Sequence, residues 1–181
     1  MIIGITGLLG AGKDTVAEIL VKKNFAHFSL SNEVRYELKK AKIPETIDNL
    51  VAMGIKIKNQ FGFAELAKRA LKKCQGKNCV LTSIRTTDEV KYLQNKKNFI
   101  LLNISCPAKI RHKRILKRNR PSDQAFKIFH KFIEKEREQF FGTGAKLNLQ
   151  ATIKMSDLTI DNSHDIKELK RKIDEIIQKL Y

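Results

Sequence analysis

Gly7-Leu8-Leu9-Gly10-Ala11-Gly12-Lys13-Asp14-Thr15 follows the apolar run Met1-Ile2-Ile3-Gly4-Ile5-Thr6 and leads straight into Val16-Ala17-Glu18-Ile19-Leu20-Val21. The first run is a short β-branched strand, and Val16, Ile19 and Leu20 fall on one face of a helix. Between them, glycines let backbone N–H groups turn inward around a phosphate chain. The helix N-terminus adds partial positive charge, and Lys13 a full one. Gly-x4-Gly-Lys arises by chance in roughly one chain in twenty of this length, so the strand before it and the helix after it carry the reading. Gly7, Leu8, Leu9, Gly10, Ala11, Gly12, Lys13, Asp14 and Thr15 are the expected triphosphate-binding residues.

The residue after such a lysine is normally Ser or Thr, whose hydroxyl ligates Mg²⁺. Here it is Asp14, with Thr15 one place later. Direct hydroxyl ligation at that position is lost. Asp14 falls in the first helical turn, where the dipole favours a carboxylate, and is placed to reach a metal-bound water.

A chain of 181 residues, 42% hydrophobic, holds one α/β domain over 1–181 with a full core, and not two. No charged leader with an apolar segment and cleavage site opens it, and no apolar stretch has bilayer length, which predicts a cytoplasmic protein without membrane contact. Cys74, Cys79 and Cys106 are odd in number and lack metal-ligand spacing, so they are expected to be reduced and structural. The net charge of +17 would attract polyanions and raises nucleic acid as a partner. That partner is not favoured. Lys22-Lys23, Lys39-Lys40-Lys42 and the lysines from Lys167 to Lys179 are interspersed with acids like solvated helix faces, and no basic-aromatic strand forms a stacking platform. Monomer and homodimer both remain open.

Further along, Phe25–Leu30 reads as a second strand, Ser31 as the N-cap of a helix running to Pro44, and Glu45–Lys73 as two helices interrupted near Phe61-Gly62-Phe63. Asn78–Ser83 is a buried strand, Thr87–Gln94 a helix and Phe99–Ile104 another doubly buried strand. Pro107 opens a helix to about Lys117. A long polar helix is expected from about Asp123 to Phe140, broken at Gly142 and Gly144. Leu158–Ile160 is a last strand and Ile166–Leu180 a closing amphipathic helix. Five apolar strands alternating with helices call for a parallel sheet covered on both faces, with ligands beyond the carboxyl ends of the strands.

Two arginines fall at that edge. Arg35 is four residues after Ser31, and Arg85 two after Ser83, so both are expected to hold an acceptor's phosphate through bidentate hydrogen bonds.

Ser31-Asn32-Glu33-Val34-Arg35 resembles the Ser-Asp-x-Leu-Arg segment of P-loop nucleoside monophosphate kinases, and Ser83-Ile84-Arg85 their acceptor-side arginine segment. Dephospho-CoA kinases and deoxynucleoside monophosphate kinases are related, and the likeness in element order spans nearly the whole chain. The resemblance implies a three-layer α/β P-loop NTPase fold with a five-stranded parallel sheet. It also implies an acceptor-side helical segment over about 31–75 and a basic helical lid over about 117–137. Thr15 would touch a phosphate while water and nucleotide hold most of Mg²⁺. Arg114, Arg118 and Arg137 would close over the ATP phosphates, with Arg120 beside them, although each reads equally as a surface arginine. Asn162, in the Asp161-Asn162-Ser163 turn, would lie against the adenine, and the same turn serves equally as a plain helix cap.

Two parts depart from the pattern. The acid expected at the end of strand three is absent from Leu81-Thr82-Ser83, leaving Asp88, Glu89 or Asp14 as substitutes, and Asn32 stands where a carboxylate often contacts the acceptor. The resemblance implies ATP- and Mg²⁺-dependent phosphorylation of a small nucleotide-like acceptor: a nucleoside or deoxynucleoside monophosphate, or dephospho-CoA. The rival is a P-loop ATPase or adaptor acting with nucleic acid.

Overall fold

The computed structural model describes residues 1–118, 120–141 and 148–180, with residues 121 and 122 by backbone alone. Strands β1 (Ile2–Thr6), β2 (Ala26–Ser29), β3 (Cys79–Thr82), β4 (Phe99–Ser105) and β5 (Leu158–Asp161) form one parallel sheet in the order β2-β3-β1-β4-β5. Ile3 lies opposite Val80 on one side and Ile100 on the other, so the phosphate-loop strand is central.

The strands are apolar on both faces because both are covered. Ile3, Ile5, Val80, Leu102, Ile104 and Ile160 pack against α1 (Lys13–Val21) and α9 (Ile166–Leu180). Cys79, Leu81 and Leu101 face the opposite layer, built from α2 (Leu30–Lys40), α3 (Ile47–Phe61), α4 (Glu65–Cys74) and α5 (Thr87–Gln94). These two layers and the sheet are the expected three-layer α/β architecture. Beyond β4 come α6 (Ala108–Arg118), a 3₁₀ turn (Pro121–Phe126), α7 (Phe129–Phe140) and the short α8 (Leu149–Lys154). Ile115, Phe126 and Phe132 from this group form a third cluster with Ile47 at the start of α3.

Several local expectations are corrected. Helix α2 starts at Leu30 with Ser29, still extended at φ −105°, in the N-cap position, so Ser31 is inside the helix. It ends at Lys40, before the left-handed Lys42 (φ 55°). The helix expected over 123–140 is divided. A continuous helix would offer the Phe126 carbonyl to residue 130, but His112 Nε2 donates to it at 2.8 Å, and Ile128 is extended (φ −102°, ψ 128°). Gly142 and Gly144 lie outside the described residues. Helix α8 has no counterpart in the sequence reading; Asn148 caps it by accepting from the Ala151 N–H at 3.0 Å.

The cysteines are not all reduced. Cys74 ends α4, Cys79 opens β3, and the left-handed Gln75 (φ 49°) and Gly76 (φ 76°) turn the chain so that the two form a disulfide with Cα atoms 5.9 Å apart. Cys106 is free and buried. Spacing judged for metal ligation carried no information about this turn. Among the described residues no helix is long and apolar enough to cross a membrane.

Candidate phosphoryl-transfer site

The loop from Gly7 to Gly12 turns tightly where β1 gives way to α1. At Gly7 (φ 134°) a Cβ would run into the Ile104 carbonyl, and at Gly12 (φ 98°) into Asn162 Nδ2, so both need glycine for conformation and for space. Ala11 is fully buried, and its carbonyl accepts from Asn162 Nδ2 at 2.8 Å, stitching the loop to the turn after β5. Asn162 is itself buried and does not line the cavity described below.

Lys13 folds back over its own loop, Nζ donating to the Gly7 and Leu8 carbonyls at 2.7 and 2.8 Å. Burial lowers its pKa to about 7, helped by the charges of Arg85, Arg118 and Arg111 and opposed by Asp14. A neutral amine has two N–H donors, enough for both carbonyls. Burial alone would raise the Asp14 carboxyl. The hydrogen bond and charge of Arg120, with Lys13 and Arg118 behind them, bring it below the usual carboxylate value. Arg120 Nη2 reaches Asp14 Oδ2 at 2.9 Å, both side chains half exposed.

One cavity of about 830 Å³ opens in front of the loop. Leu9, Gly10, Gly12, Lys13, Asp14 and Thr15 line its near end, and Arg35, Arg85, Arg114 and Arg118 also border it, as does Arg120. Arg137 does not: it is exposed on α7. Arg35 is held by Glu45 (Nε–Oε1 2.9 Å) and Ser31 (2.7 Å). Among the described residues, the Arg85 guanidinium hydrogen-bonds only to the Gln139 carboxamide oxygen at 3.3 Å. Arg118 makes a two-pronged pair with Asp123, both bonds 2.7 Å.

Arg111 differs from the other basic residues of its helix. It is 3% exposed and donates to the Cys106 carbonyl at 2.7 Å, the Leu9 carbonyl at 3.1 Å and both carboxylate oxygens of Glu136. It joins α6, the phosphate loop and α7 as a structural cation.

The far end of the cavity contains α3 residues that the sequence reading did not single out, beside Ser31 and Ser83, which its acceptor-side motifs included. Ile47, Leu50, Val51, Gly54, Ile55 and Lys58 line it from α3, and Ser29, Ser31 and Ser83 bring together three hydroxyls 2.9 to 3.3 Å apart. Ser83, just after β3, holds φ 67°, in the left-handed region that non-glycine residues adopt infrequently. His27 Nε2 lies 2.9 Å from Thr82 Oγ1, and burial lowers its pKa. Glu89, one of the substitutes for the missing strand-three acid, caps its own helix. One of its oxygens accepts from the Arg85 and Thr86 N–H groups at 2.8 and 3.1 Å, and burial raises its pKa. The readable signal was Lys58, a cation at the same helical phase as Leu50, Val51 and Ile55.

Residues 3–142 match the AAA domain family model. The UPF0200 protein MJ1399 of Methanocaldococcus jannaschii is 31% identical over 186 residues, covering 99% of this chain and 90% of that protein. Among solved structures, shikimate kinase from Bacteroides thetaiotaomicron superposes with a TM-score of 0.66 at 16% identity, covering 99% of this chain and 98% of that one. Deoxyadenosine kinase from M. mycoides, solved with bound dCTP, gives 0.54 at 21% identity, covering 99% and 98%. At these identities the structural likeness is one of fold, that of small-molecule P-loop kinases. The chain belongs to the AAA domain family of P-loop proteins and, within it, groups with the UPF0200 proteins.

Proposed function

We propose that this protein is an ATP- and Mg²⁺-dependent kinase that phosphorylates a small nucleotide-like acceptor, with a nucleoside or deoxynucleoside monophosphate as the preferred reading. The observation that carries it is the single cavity running from Lys13 to Arg85, with Arg35, Arg114 and Arg118 on its walls. Phosphoryl transfer asks little covalent help of a protein; it asks for cations around the moving group and a fixed in-line acceptor. The β–γ bridging P–O bond breaks, the electron pair leaves with ADP, and a new P–O bond forms to the acceptor oxygen.

Lys13 and the loop N–H groups hold the donor phosphates. Arg114 and Arg118 balance charge on the transferring group, and Arg35 and Arg85 orient the acceptor. A phosphate acceptor is already anionic and needs no base to deprotonate it, which suits a site with Asn32 where a carboxylate often stands. Asp14 and Thr15 fit Mg²⁺, an oxygen-seeking cation that keeps several waters and takes few protein ligands; no group of three acids, histidines or cysteines converges among the described residues. Bound there, Mg²⁺ would supply charge neutralisation of the donor phosphates. Residues 31–75 and 117–137 act in this reading as acceptor side and lid.

The test is Mg²⁺-ATP turnover with ribo- and deoxyribonucleoside monophosphates and dephospho-CoA offered one at a time, with the product identified. Acceptor-dependent ADP formation with a monophosphate is expected. In Arg85→Ala the acceptor KM should rise about ten- to a hundredfold, as for loss of a charge-assisted hydrogen bond, and more than the KM for ATP. ATP binding without turnover on any acceptor would overturn the kinase reading.

A further inference from the structure

The strip of α3 facing the cavity is apolar at Ile47, Leu50, Val51 and Ile55, and two of its residues break the strip. Gly54 is buried in mid-helix, where glycine is less stable than alanine because the unfolded chain gains freedom. Close packing is not the reason for it. A Cβ built on Gly54 meets nothing within 4 Å, whereas one on Gly4 would lie 2.8 Å from the Phe99 ring. The missing side chain is cavity space.

Lys58, one turn further, lines the same cavity and is 3% exposed. Among the described residues its amine makes no hydrogen bond or ion pair, so its charge is left to whatever fills the cavity. The charges facing it are Glu89 and Asp88 on α5 and Arg85 after β3, and burial lowers its pKa. Glu89, the acid that acts most strongly on both Lys58 and Arg85, already accepts from two backbone N–H groups, and among the described residues the Arg85 guanidinium hydrogen-bonds to no more than a neutral carboxamide. Arg85 is also the charge that acts most strongly on Lys13. A row of basic groups, Lys13, Arg85 and Lys58, therefore runs from the phosphate loop to α3, with an apolar recess beside its far end.

We propose that Gly54 and Lys58 select the acceptor: Lys58 and Arg85 together hold its anionic group, and its ring lies against α3 in the space left by Gly54. This rests on the kinase reading and narrows it to a phosphate monoester joined to a flat, partly apolar ring, a nucleoside 5′-monophosphate with the phosphate toward Lys13.

The experiment is calorimetric binding of AMP, dAMP, CMP, dCMP and the ring hydroxycarboxylate quinate to the wild type and to Gly54→Ala, Gly54→Leu, Lys58→Met and Lys58→Arg. ATP affinity and melting temperature are measured for each. Lys58→Met is expected to weaken the tightest monophosphate about tenfold or more, with partial recovery in Lys58→Arg. Gly54→Leu should weaken purine monophosphates about tenfold or more and pyrimidine ones less, with Gly54→Ala between, at unchanged ATP affinity and no loss of melting temperature. The proposal is overturned if both series bind monophosphates as the wild type does, if no monophosphate binds the wild type, or if quinate binds more tightly. The kinase reading fails separately, if monophosphates bind with the expected dependence yet ATP phosphorylates none of them.

Discussion

The charge on Lys13 depends on what fills the cavity. With its pKa lowered from the ordinary 10.5 to about 7 by burial and by Arg85, it is largely neutral above neutrality while it caps the Gly7 and Leu8 carbonyls. Triphosphate charge beside it restores the ammonium form, so ATP binding at about pH 8 should take up close to one proton. Calorimetry in buffers of different ionisation enthalpy measures this, and Lys13→Met should abolish both the uptake and transfer. The stability effect has a definite sign. Below pH 7 both folded and unfolded chains hold the proton and the burial penalty is felt in full. Between about 7 and 10.5 the unfolded chain holds more protons, so this group's contribution rises with pH. Without nucleotide, the melting advantage of Lys13→Met over the wild type should shrink as pH rises through that window.

The helices after β4 sort their basic residues into two kinds, and substitution separates them. Arg111→Met leaves Glu136 and two carbonyls without their donor in a nearly closed site and should cost about 3 kcal/mol in urea unfolding. Arg114→Met, half-buried at the cavity wall, should change unfolding little and transfer much. Sequence could not divide them, because Lys109 to Arg120 reads as one basic run and burial depends on where α7 lands. The break of that helix at Ile128 was hidden for a related reason: the competitor for the Phe126 carbonyl, His112, comes from another element. The staple between α4 and β3 was equally invisible to spacing. Thiol titration in denaturant should find one free thiol, that of Cys106, and three after reduction. Reduction should lower stability by about 2 kcal/mol, the loop-closure value for so short a ring.

The sheet, its two covered faces and the loop at its carboxyl edge were legible because strand runs and glycine spacing are local patterns, and the structure reproduces them strand for strand. The α3 end of the cavity was less so: Ile47, Leu50, Gly54 and Lys58 become a wall only once α3 is packed against α2 and α4. That wall also meets the segment opposite. Ile47 packs with Phe126, both lining the cavity, and Lys135 on α7 pairs with Asp48 on α3 at 3.0 Å. If the kinase reading holds, a ligand that draws one rim inward should carry the other with it, and linkage would then make the effect reciprocal: the factor by which donor nucleotide tightens the acceptor would equal the factor by which acceptor tightens the nucleotide. Titrating each ligand with and without the other measures that factor twice, and Phe126→Leu should bring both values down together. In that reading, the contact of Ile47 with Phe126 would make two binding events at opposite ends of one cavity a single cooperative quantity.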